Sequence, residues 1–509
     1  MPNVSTLLEG AAGRHPDRPA VRYGEQRLTY AALDERASRF GSALLARGLR
    51  PGDAVALFAK NRAEYVVAMF GAFKAGLTIV PVNAKLAGAE LEVILRDSAA
   101  RALVYDAGSA ETAAQAVAAA PVEVVVRTGD AFEALLAEGD PSMASADVGD
   151  DAVAWLFYTS GTTGRPKGAE LTHRNLLAMT WLELCDICDF RADDIVLHVA
   201  PLSHGSGLYM LGAIARAAEN LIYDRASFDP ADVIGLIERE RVTVIGFLAP
   251  TMIVMLLDAD PDATLPSVRR AVYGGAPISR THAERMVERF GTRFVQIYGQ
   301  GETPMTITFL DLAAESAVDA EVLSSAGIPH PGVEVRLLGP DDQLVEDGRE
   351  GEICVRGDTV MRGYRGNPGA TAETLRGGWL HTGDIGRFDD AGRLLLLDRS
   401  KDVIISGGTN IYPREVEEAL MKHPAVAEVV VFGEPDELWG ESVTAVVVAG
   451  PGEPPSERDL IWFCKEHLAS FKKPKRVMFV EQLPRNATGK VLRGAIKDRL
   501  RAAVGEAGS

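Results

Sequence analysis

The stretch VAWLFYTSGTTGRPKG, residues 153–168, joins an apolar run to a loop rich in glycine and hydroxyl groups. The apolar run at 153–157 predicts a buried β-strand. In the loop, Gly161, Gly164 and Gly168 allow the backbone to bend and to present N–H groups to anionic oxygens. Further donors for such oxygens are Thr159, Ser160, Thr162, Thr163 and Lys167. The sequence therefore predicts a loop that binds phosphate groups.

This loop differs from that of the P-loop nucleotide hydrolases. The pattern GxxxxGK[ST] is absent, because Lys167 follows Pro166 and the other Gly-Lys pair, Gly489-Lys490, precedes Val491. A GxSxG pattern is absent as well, which disfavours a serine hydrolase. The phosphate loop must therefore belong to another class of nucleotide-binding protein.

Strand-like and helix-like runs alternate on both sides of the loop. They do so between residues 20 and 150 and again between 190 and 300, which predicts parallel βαβ units in two doubly wound sheets. From 324 to 398 the strands become short and turn signals are frequent, as in a small β-barrel. A short α+β pattern follows residue 401.

We therefore predict an α/β protein with a large N-terminal domain at residues 1–398. It contains two doubly wound sheets at about 1–323 and a small β-barrel at about 324–398. A hinge follows at 399–402, and a small, mobile α+β C-terminal domain at 403–509. The length of 509 residues agrees with this division, because it exceeds what one hydrophobic core usually serves.

Composition and charge exclude several classes of protein. The net charge of −18 leaves no basic field for nucleic acid or for an anionic membrane. We expect no signal peptide, no transmembrane helix and a cytoplasmic location, because no long apolar run occurs. Four cysteines predict no disulfide framework. Cys185 and Cys188 lie in a helix-like run at 172–190, so we expect a core pair rather than a metal or redox site.

Further motifs follow the phosphate loop in order over nearly the whole chain. They are APLSHGSG (200–207), YGGAP (273–277), YGQGET (298–303), GYRGNPGAT (363–371), GWLHTGD (378–384), DRSKDVIISGGTNIYPREVE (398–417) and PRNATGKVLR (484–493). With them the chain closely resembles the adenylate-forming superfamily, which includes acyl-CoA synthetases, aryl-CoA ligases, peptide-synthetase adenylation domains and luciferases. The resemblance implies that ATP converts a carboxylic acid into its acyl-adenylate, and that coenzyme A then accepts the acyl group. It implies Mg²⁺ as a cofactor, a small carboxylic acid and coenzyme A as partners, and a monomer or homodimer.

The resemblance also implies roles for individual residues. Thr159 and Glu302 would hold Mg²⁺, and Thr303 would touch the α-phosphate. Asp384 and Arg399 would contact the ribose. The remaining ATP contacts would be Gly275, Ala276 and Pro277 beside adenine, Tyr298 stacked on the base, and Gln296 and Gly299. The catalytic set would be Lys490, Glu302, Thr159, Lys167 and His204.

The predicted C-terminal domain would bring two different segments to the reaction. Attack of a carboxylate on the α-phosphorus builds negative charge on phosphoryl oxygens, which the mobile cation Lys490 would stabilise. Lys401 matches the hinge position of the family. Rotation about it would replace Lys490 with the loop at Gly407 and Gly408, which would line a narrow tunnel for coenzyme A.

The identity of the acceptor leaves alternatives open. Gly205 stands where amino-acid-activating relatives carry an aspartate, and no carrier domain follows in the sequence. A stand-alone ligase that loads a carrier protein remains an alternative, as does luciferase-like oxygenation. The basic run at 472–476 is either a solvated loop or a site for the phosphates of coenzyme A. A non-enzymatic nucleotide sensor is disfavoured, because it would not need Lys490.

The acyl pocket is expected among His204, Tyr209, Phe247, Gln300, Gly301 and Ala326. Most of these residues are apolar or small, which predicts a hydrophobic acid. Gln300 is the polar exception and would meet a hydroxyl or amide, while Gly301 would deepen the cavity. A medium- or long-chain fatty acid and an aryl acid of the phenylpropenoid or benzoate type both fit, with a slight preference for the fatty or a related hydrophobic acid.

Overall fold

The computed structural model describes residues 3–160, 166–225, 227–346, 348–399, 402–406, 409–436, 439–452, 454–485 and 491–497, without the side chains of Ser160 and Asn410. The strands between Ala54 and Thr172 form a six-stranded sheet, and the two strands before them join the second sheet, described below. The elements up to the phosphate loop and the strand after it are α1 Thr6–Arg14, β1 Pro19–Tyr23, β2 Gln26–Thr29, α2 Tyr30–Ala46, β3 Ala54–Phe58, α3 Ala63–Lys74, β4 Thr78–Pro81, α4 Gly88–Ser98, β5 Ala100–Tyr105, α5 Ala110–Ala119, β6 Val124–Arg127, α6 Asp130–Glu138, β7 Val153–Ser160 and β8 Pro166–Thr172.

The strand order of this sheet is β6-β5-β3-β4-β7-β8. Its strands are parallel except for the β7–β8 hairpin, which carries the phosphate loop. Strands β3 and β4 are buried along their full length, because helices cover both faces of the sheet. The apolar run that predicted a strand at 153–157 is the buried start of β7.

The next segment forms a nine-stranded sheet. Its elements are α7 His173–Leu182, β9 Ile195–His198, α8 Gly205–Leu208, α9 Met210–Ala215, β10 Glu219–Ile222, α10 Pro230–Glu240, β11 Val244–Leu248, α11 Pro250–Ala259, β12 Arg270–Gly274, α12 Arg280–Phe290, β13 Phe294–Tyr298, β14 Thr308–Asp311, α13 Ala320–Ser324 and β15 Ile328–Pro329. The strand order is β15-β14-β13-β12-β11-β9-β10-β1-β2. The six central strands are parallel, so the prediction of two doubly wound sheets is confirmed.

The cysteine pair differs from its prediction. Helix α7 ends at Leu182, and one π-helical turn follows at Glu183–Ile187. Cys185 on this turn is exposed, whereas Cys188 is buried just after it in an extended conformation. The two thiols are therefore not a buried pair on one helix face, because Cys185 lies on the π-helical turn and Cys188 lies beyond its end.

The region predicted as a small barrel is an antiparallel sheet with the order β16-β17-β18-β19. Its elements are β16 Glu334–Leu338, β17 Gly351–Arg356, α14 Pro368–Thr374, β18 Leu380–Phe388 and β19 Leu394–Arg399. Backbone pairing among the described residues does not join β16 to β19. A backbone bridge between Ala169 and Tyr364 connects this region to β8 and so brings it to the phosphate loop.

The last segment has its own sheet and its own hydrophobic core. Its elements are β20 Ile404–Ser406, β21 Thr409–Ile411, α15 Pro413–Leu420, β22 Val426–Asp436, β23 Gly440–Ala449, α16 Glu457–His467 and β24 Arg476–Phe479. The strand order is β21-β20-β23-β22, with β24 parallel to β23. Apolar side chains of α15 and α16 pack on one face of this sheet. The segment is thus the α+β unit that the sequence predicted.

Candidate active site

The phosphate loop begins and ends at adjacent positions of the β7–β8 hairpin. Thr159 pairs with Lys167 and Ser160 pairs with Pro166 in the ladder. The predicted loop residues Gly161, Thr162, Thr163 and Gly164 lie outside the described residues. The hairpin thus places Thr159 and Lys167 opposite each other at the base of the loop.

Glu302 lies beside this base and is largely buried. Its Oε1 accepts a hydrogen bond from Thr159 Oγ1 at 3.3 Å and a second one from the Tyr364 hydroxyl at 2.8 Å. Lys167 Nζ lies 5.0 Å from the centre of the Tyr364 ring. Burial and the neighbouring Glu302 carboxylate raise the pKa of the Tyr364 hydroxyl. Two predicted residues, Lys167 and Glu302, therefore meet at Tyr364, a residue to which the sequence motif GYRGNPGAT had assigned no role.

A glycine makes this approach possible. A Cβ atom at Gly301 would lie 2.5 Å from Phe157 Cδ1 and 2.8 Å from Thr159 Cγ2. The turn before Glu302 can therefore press against β7 only because residue 301 has no side chain. The prediction that Gly301 deepens the acyl cavity is wrong, since Phe157 fills the space that a larger residue would take.

The side-chain oxygen atoms of Thr159 and Glu302 are suitable ligands for a magnesium ion. Thr159 supplies a hydroxyl oxygen and Glu302 a carboxylate, and the second Glu302 oxygen has no hydrogen bond to a described residue. Hard oxygen ligands that hold one side of the ion and leave the rest to phosphates and water are typical of Mg²⁺ sites in nucleotide-dependent enzymes.

Asp384 is the centre of a second cluster. Its carboxylate accepts hydrogen bonds from the Tyr298 hydroxyl at 2.8 Å and from Gln300 Nε2 at 2.7 Å. Arg399 lies opposite Asp384 in the β18–β19 ladder, and its Nε is 3.0 Å from the carboxylate. Burial first, and then the charge of Asp384, raise the pKa of the Tyr298 hydroxyl. The predicted ribose contacts Asp384 and Arg399 are thus brought together with Tyr298.

Gln300 occupies a different place from the one predicted. Its amide nitrogen donates to Asp384 and, at 2.9 Å, to the Thr382 carbonyl. The amide is therefore committed to the Asp384 cluster rather than to an acyl pocket.

A carboxylate in the neighbouring strand holds the irregular part of β18 just before Asp384, where the register with β17 shifts. Glu352 Oε1 accepts from the Gly383 N–H at 3.0 Å, while its Oε2 lies 2.8 Å from His381 Nδ1 and 3.2 Å from Arg376 Nη2. Cys354 Sγ is 3.3 Å from the same histidine nitrogen. These groups resemble a set of metal ligands, but the protein's own donors already occupy the Glu352 oxygens. The sequence analysis missed Glu352, because a lone glutamate on a strand carries no signal.

The predicted adenine contacts lie at the ends of β12 and β13. Gly275 has a φ of +79°, and the exposed residues Ala276 and Pro277 follow it. Gln296 accepts a hydrogen bond from the Tyr273 hydroxyl at 3.0 Å. At Gly299 a Cβ would lie 2.4 Å from the Met305 carbonyl carbon, so the backbone turns tightly there. Thr303 is buried, and its hydroxyl has no hydrogen-bond partner.

His204 lies at the start of α8, in contact with Phe157 on β7. Its Nδ1 is 2.9 Å from Ser203 Oγ, and its ring packs edge-on against Phe157 with 5.9 Å between the ring centres. Burial lowers the pKa of His204 to about 4. The ring is therefore neutral at pH 7 and can donate or accept a hydrogen bond without carrying charge.

Apolar side chains gather behind His204. The rings of Tyr209 and Phe247 lie 6.2 Å apart, and a Cβ at Gly205 would lie 2.9 Å from Met305 Sδ and 3.1 Å from Phe247. Ala326 is buried. Its carbonyl oxygen accepts a hydrogen bond from Thr308 Oγ1 at 2.6 Å, and its N–H donates to the Leu394 carbonyl at 2.7 Å. Tyr209, Phe247 and Met305 thus form one apolar cluster, and Ala326 joins β14 to β19.

The predicted residues Lys401, Gly407, Gly408 and Lys490 lie outside the described residues. The described residues on either side of Lys490 are held by contacts with each other and with α15. Arg485 and Val491 form a backbone bridge on either side of its loop. Arg493 then donates to both oxygens of Glu417, at 2.7 and 3.0 Å. The loop that carries Lys490 is thereby closed at its base and tied to α15.

Comparisons with known proteins agree with this arrangement. The model of the AMP-binding enzyme family matches residues 8–365, and that of the AMP-binding enzyme C-terminal domain matches residues 415–490. A feruloyl-CoA synthase of an Amycolatopsis species is 40% identical over 489 residues, which are 95% of this chain and 96% of that protein. The fatty acid–[acyl-carrier-protein] ligase ScoC of Streptomyces coeruleorubidus is 38% identical over 508 residues, 98% of this chain and 97% of that protein. The solved o-succinylbenzoate CoA synthetase of Bacillus subtilis, bound to its acyl-adenylate intermediate, superposes with a TM-score of 0.86 at 34% identity and 98% coverage of each chain.

The fold and the two residue clusters define an enzyme that activates a carboxylic acid with ATP. The chain belongs to the AMP-binding enzyme family. The class predicted from the motifs, an AMP-forming acid:CoA ligase that acts through an acyl-adenylate, is confirmed. Among the described residues, none of the helices is both long enough and apolar enough to span a bilayer.

Proposed function

We propose that this protein is an ATP-dependent ligase for a hydrophobic carboxylic acid. It converts the acid and ATP into acyl-adenylate and pyrophosphate, and then converts the acyl-adenylate and coenzyme A into acyl-CoA and AMP. One observation carries the proposal. The turn from Tyr298 to Glu302 contacts the phosphate-loop hairpin through Glu302 and the Asp384 cluster through Tyr298 and Gln300. A nucleotide bound along this turn would have its phosphates at Thr159 and its ribose at Asp384.

Charge stabilisation is the main task of the residues around the phosphates. When the carboxylate attacks the α-phosphorus, negative charge grows on the phosphoryl oxygens, and nearby cations and donors stabilise it. Lys167 supplies one cation from the loop base, and Lys490 supplies the second from the C-terminal segment. Thr159 and Glu302 would hold Mg²⁺, and the bound ion would neutralise part of the negative charge of the phosphates. His204 and Phe157 separate the phosphates from the apolar cluster.

The second half of the reaction uses the predicted rotation about Lys401. Lys490 would leave the nucleotide, and the loop at Gly407 and Gly408 would replace it beside the acyl-adenylate. Asp398 lies at this junction, where its carboxylate accepts the backbone N–H groups of Arg399 at 2.7 Å and of Arg414 at 3.0 Å. The hydrogen bond from Arg414 crosses the proposed hinge and would have to change if the two domains rotate about Lys401.

Coenzyme A is the proposed acceptor, and a carrier protein is the alternative that the ScoC similarity keeps open. Two of the three relatives described above are named for coenzyme A. The basic run at 472–476 adds a surface feature. Trp439 and Phe471 are exposed rings with Lys475 and Lys472 beside them, at 5.7 and 5.8 Å from the ring centres. Both ammonium groups also form ion pairs, Lys472 with Glu415 and Lys475 with Asp436, so phosphates would bind here only in exchange for these carboxylates.

The acid itself is proposed only as a class. The relatives are named for an aromatic acid and for fatty acids, and the Tyr209–Phe247–Met305 cluster accommodates either kind of apolar body. The predicted cytoplasmic location and the monomeric or homodimeric state stay predictions.

The deciding experiment is a panel of fatty and aryl acids, assayed for acid-dependent exchange of labelled pyrophosphate into ATP. The products with coenzyme A are identified by mass. We expect exchange and a CoA thioester with at least one hydrophobic acid, and neither with Glu302→Gln. No exchange with folded protein and Mg²⁺ across the panel would refute adenylation. Exchange without any thioester would favour the carrier-protein alternative.

A further inference from the structure

Asn175 is a buried side-chain amide in the first turn of α7, and all its hydrogen-bonding positions are occupied. Its Oδ1 accepts from the Thr172 N–H at 2.7 Å and from the Thr172 hydroxyl at 2.9 Å. Its Nδ2 donates to the Asp358 carbonyl at 2.7 Å and to the Val360 carbonyl at 2.9 Å. An amide has two donors and two acceptor lone pairs, so Asn175 is saturated. One side chain thus joins the start of α7 to a distant segment of the chain.

The cap of α7 does not by itself require an amide. In a capping box, the third residue of the helix accepts a hydrogen bond from the N–H of the N-cap residue, and a carboxylate can do this. Glu90 does so at the start of α4, and Asp459 at the start of α16. The partial positive charge at a helix N-terminus would even favour a carboxylate. The two N–H groups of Asn175 therefore have their reason in the carbonyls of residues 358 and 360.

The peptide group between Val360 and Met361 connects Asn175 to Glu302. Its carbonyl oxygen accepts from Asn175, and its N–H donates to the Glu302 carbonyl at 2.8 Å. Because a peptide group is planar, the direction of its carbonyl also sets the direction of its N–H. Hydrogen bonds in such a chain polarise and strengthen one another. Asn175 thereby reaches the backbone of the residue whose carboxylate is the predicted Mg²⁺ ligand.

Packing leaves one side of this segment open. A cavity of about 360 Å³ has Asn175, Val360 and Met361 among its lining residues, so side chains do not fill the space there. Among the described residues, backbone hydrogen bonds from this segment to β8 begin at Arg362, whose N–H donates to the Glu170 carbonyl at 2.9 Å. The two hydrogen bonds from Asn175 therefore hold the part of the segment just before Met361.

We propose that Asn175 is a positioning residue for the metal site, and that it acts on Glu302 through the peptide group of residues 360–361. When this peptide group is fixed, the turn that carries Glu302 is fixed as well, and the carboxylate stays beside Thr159 Oγ1, 3.3 Å away. None of the hydrogen-bond partners of Asn175 is a predicted ATP contact, so its influence passes through the backbone. The inference rests on the proposed function and adds a residue that none of the sequence motifs contained.

Two reciprocal substitutions separate positioning from helix stability. Asn175→Asp keeps an acceptor for the cap of α7, but it removes both N–H donors and sets a carboxylate against two carbonyl oxygens. Thr172→Val removes the hydroxyl that accepts from the Asn175 backbone N–H at 3.2 Å, but it leaves the amide opposite residues 358 and 360. Both substitutions should lower the thermal unfolding midpoint. Only Asn175→Asp should change the metal site.

The measurement is a calorimetric titration with α,β-methylene ATP, which cannot be cleaved between its α- and β-phosphates, once with Mg²⁺ and once with a chelator. The ratio of the two dissociation constants reports how much the metal ion strengthens binding. We expect this ratio to fall about tenfold in Asn175→Asp, as is typical when a group that orients a metal ligand is removed. In Thr172→Val the ratio should stay within about twofold of that of the unmodified protein.

The effect should also depend on Glu302, because Asn175 acts through it. In the Glu302→Gln background, Asn175→Asp should change the ratio by less than about twofold, as expected for two residues on one path. In pyrophosphate exchange with an accepted acid, Asn175→Asp should raise the Mg²⁺ concentration that gives half the maximal rate. The KM for the acid should stay the same.

Four results would overturn the inference. They are a ratio near one in the unmodified protein, an unchanged ratio in Asn175→Asp, an equal loss in Thr172→Val, and a full effect of Asn175→Asp in the Glu302→Gln background. If Asn175→Asp does not fold, Asn175→Ala removes the amide without adding a charge and is judged in the same way. Acid-dependent exchange together with any of these results would refute this inference alone, whereas no exchange with any acid would refute the proposed function.

Discussion

Tyr364 is the residue on which the geometry of Glu302 most directly depends. Its hydroxyl donates to Glu302 Oε1 at 2.8 Å, and its ring lies under Lys167 Nζ. One side chain therefore orients the carboxylate and also contacts the ammonium group of the loop base. The motif around residue 364 was visible in the sequence, but the contact was not, because 62 residues separate its two partners.

Tyr364→Phe removes the hydroxyl and keeps the ring. A hydrogen bond to a charged group contributes about 1.5–3 kcal/mol, so we expect kcat of pyrophosphate exchange to fall about 10- to 100-fold. The thermal unfolding midpoint should change little. Tyr158→Phe is the control, since that hydroxyl donates to Asp97 at 2.6 Å on α4. Equal losses in both variants would show that Tyr364 has no special relation to Glu302.

Three buried histidines link the stability of the fold to pH. Burial lowers the pKa of His173, His198 and His204 to about 4, whereas an unfolded histidine titrates near 6.5. Between these values the unfolded chain binds protons that the folded protein does not. Their contribution to stability is therefore complete above pH 6.5 and is lost as the pH falls towards 4, by up to about 1.4 kcal/mol per pH unit for each histidine.

Unfolding in guanidinium chloride between pH 4.5 and 6.5 measures this effect. The free energy of unfolding should decrease as the pH is lowered, and His198→Gln should reduce the slope by roughly one proton's share. His467→Gln, an exposed histidine on α16, should leave the slope unchanged. A slope that is the same in all three proteins would contradict the assignment to buried histidines.

At the scale of the element, the β17–β18 pair positions Asp384, the predicted ribose contact, through Glu352. Its carboxylate binds the Gly383 N–H and His381 on the strand that carries Asp384. Gly383 has a φ of +70°, a conformation that the glycine adopts without strain. This irregular position of β18 is thus held from the neighbouring strand, one residue before Asp384.

Glu352→Gln should weaken the hydrogen bond that holds Gly383 in β18, without changing the residues predicted to contact the phosphates. We expect the KM for ATP to rise about tenfold, the equivalent of one lost hydrogen bond of about 1.4 kcal/mol, while kcat changes less than about twofold. Steady-state kinetics with varied ATP measure both constants. Glu334→Gln is the control, because that residue pairs with Arg356 at the exposed edge of the same sheet. A loss in kcat at constant KM would contradict a positioning role.

Elements with continuous apolar runs could be predicted from the sequence, whereas contacts between distant turns could not. Strand β7 lies where the apolar run at 153–157 predicted it, because local composition decides a strand that is covered on both faces. Gln300 was placed in the acyl pocket by its position in a motif, but its amide binds Asp384, 84 residues further on. The cysteine pair was misplaced because a π-helical turn ends α7 earlier than the apolar pattern indicates. Both errors depend on tertiary contacts that no local pattern contains.

At the scale of the whole molecule, the proposed reaction divides between two domains. The nucleotide clusters at Glu302 and Asp384 lie in the N-terminal part, and Lys490 belongs to the C-terminal part. Arg493, just beyond Lys490, is held by Glu417 and by the Val431 carbonyl at 3.0 Å. Rotation of the C-terminal segment would therefore move Arg493, three residues after Lys490, together with α15 and β22.

This division predicts that one substitution separates the two half-reactions. Lys490→Ala removes the cation that stabilises the developing phosphoryl charge, so adenylation should fall about 100- to 1,000-fold, as for the loss of an oxyanion-stabilising group. Conversion of a supplied acyl-adenylate with coenzyme A should stay within about threefold of the unmodified enzyme, because the lysine has then left the site. Lys401→Pro provides the reciprocal variant: it restricts the proposed hinge and should impair thioester formation more than pyrophosphate exchange. The two half-reactions are measured separately, by exchange and by thioester formation from the synthetic adenylate. Equal losses of both half-reactions in Lys490→Ala would show that the lysine acts in one fixed arrangement, and the proposed rotation would have to be abandoned.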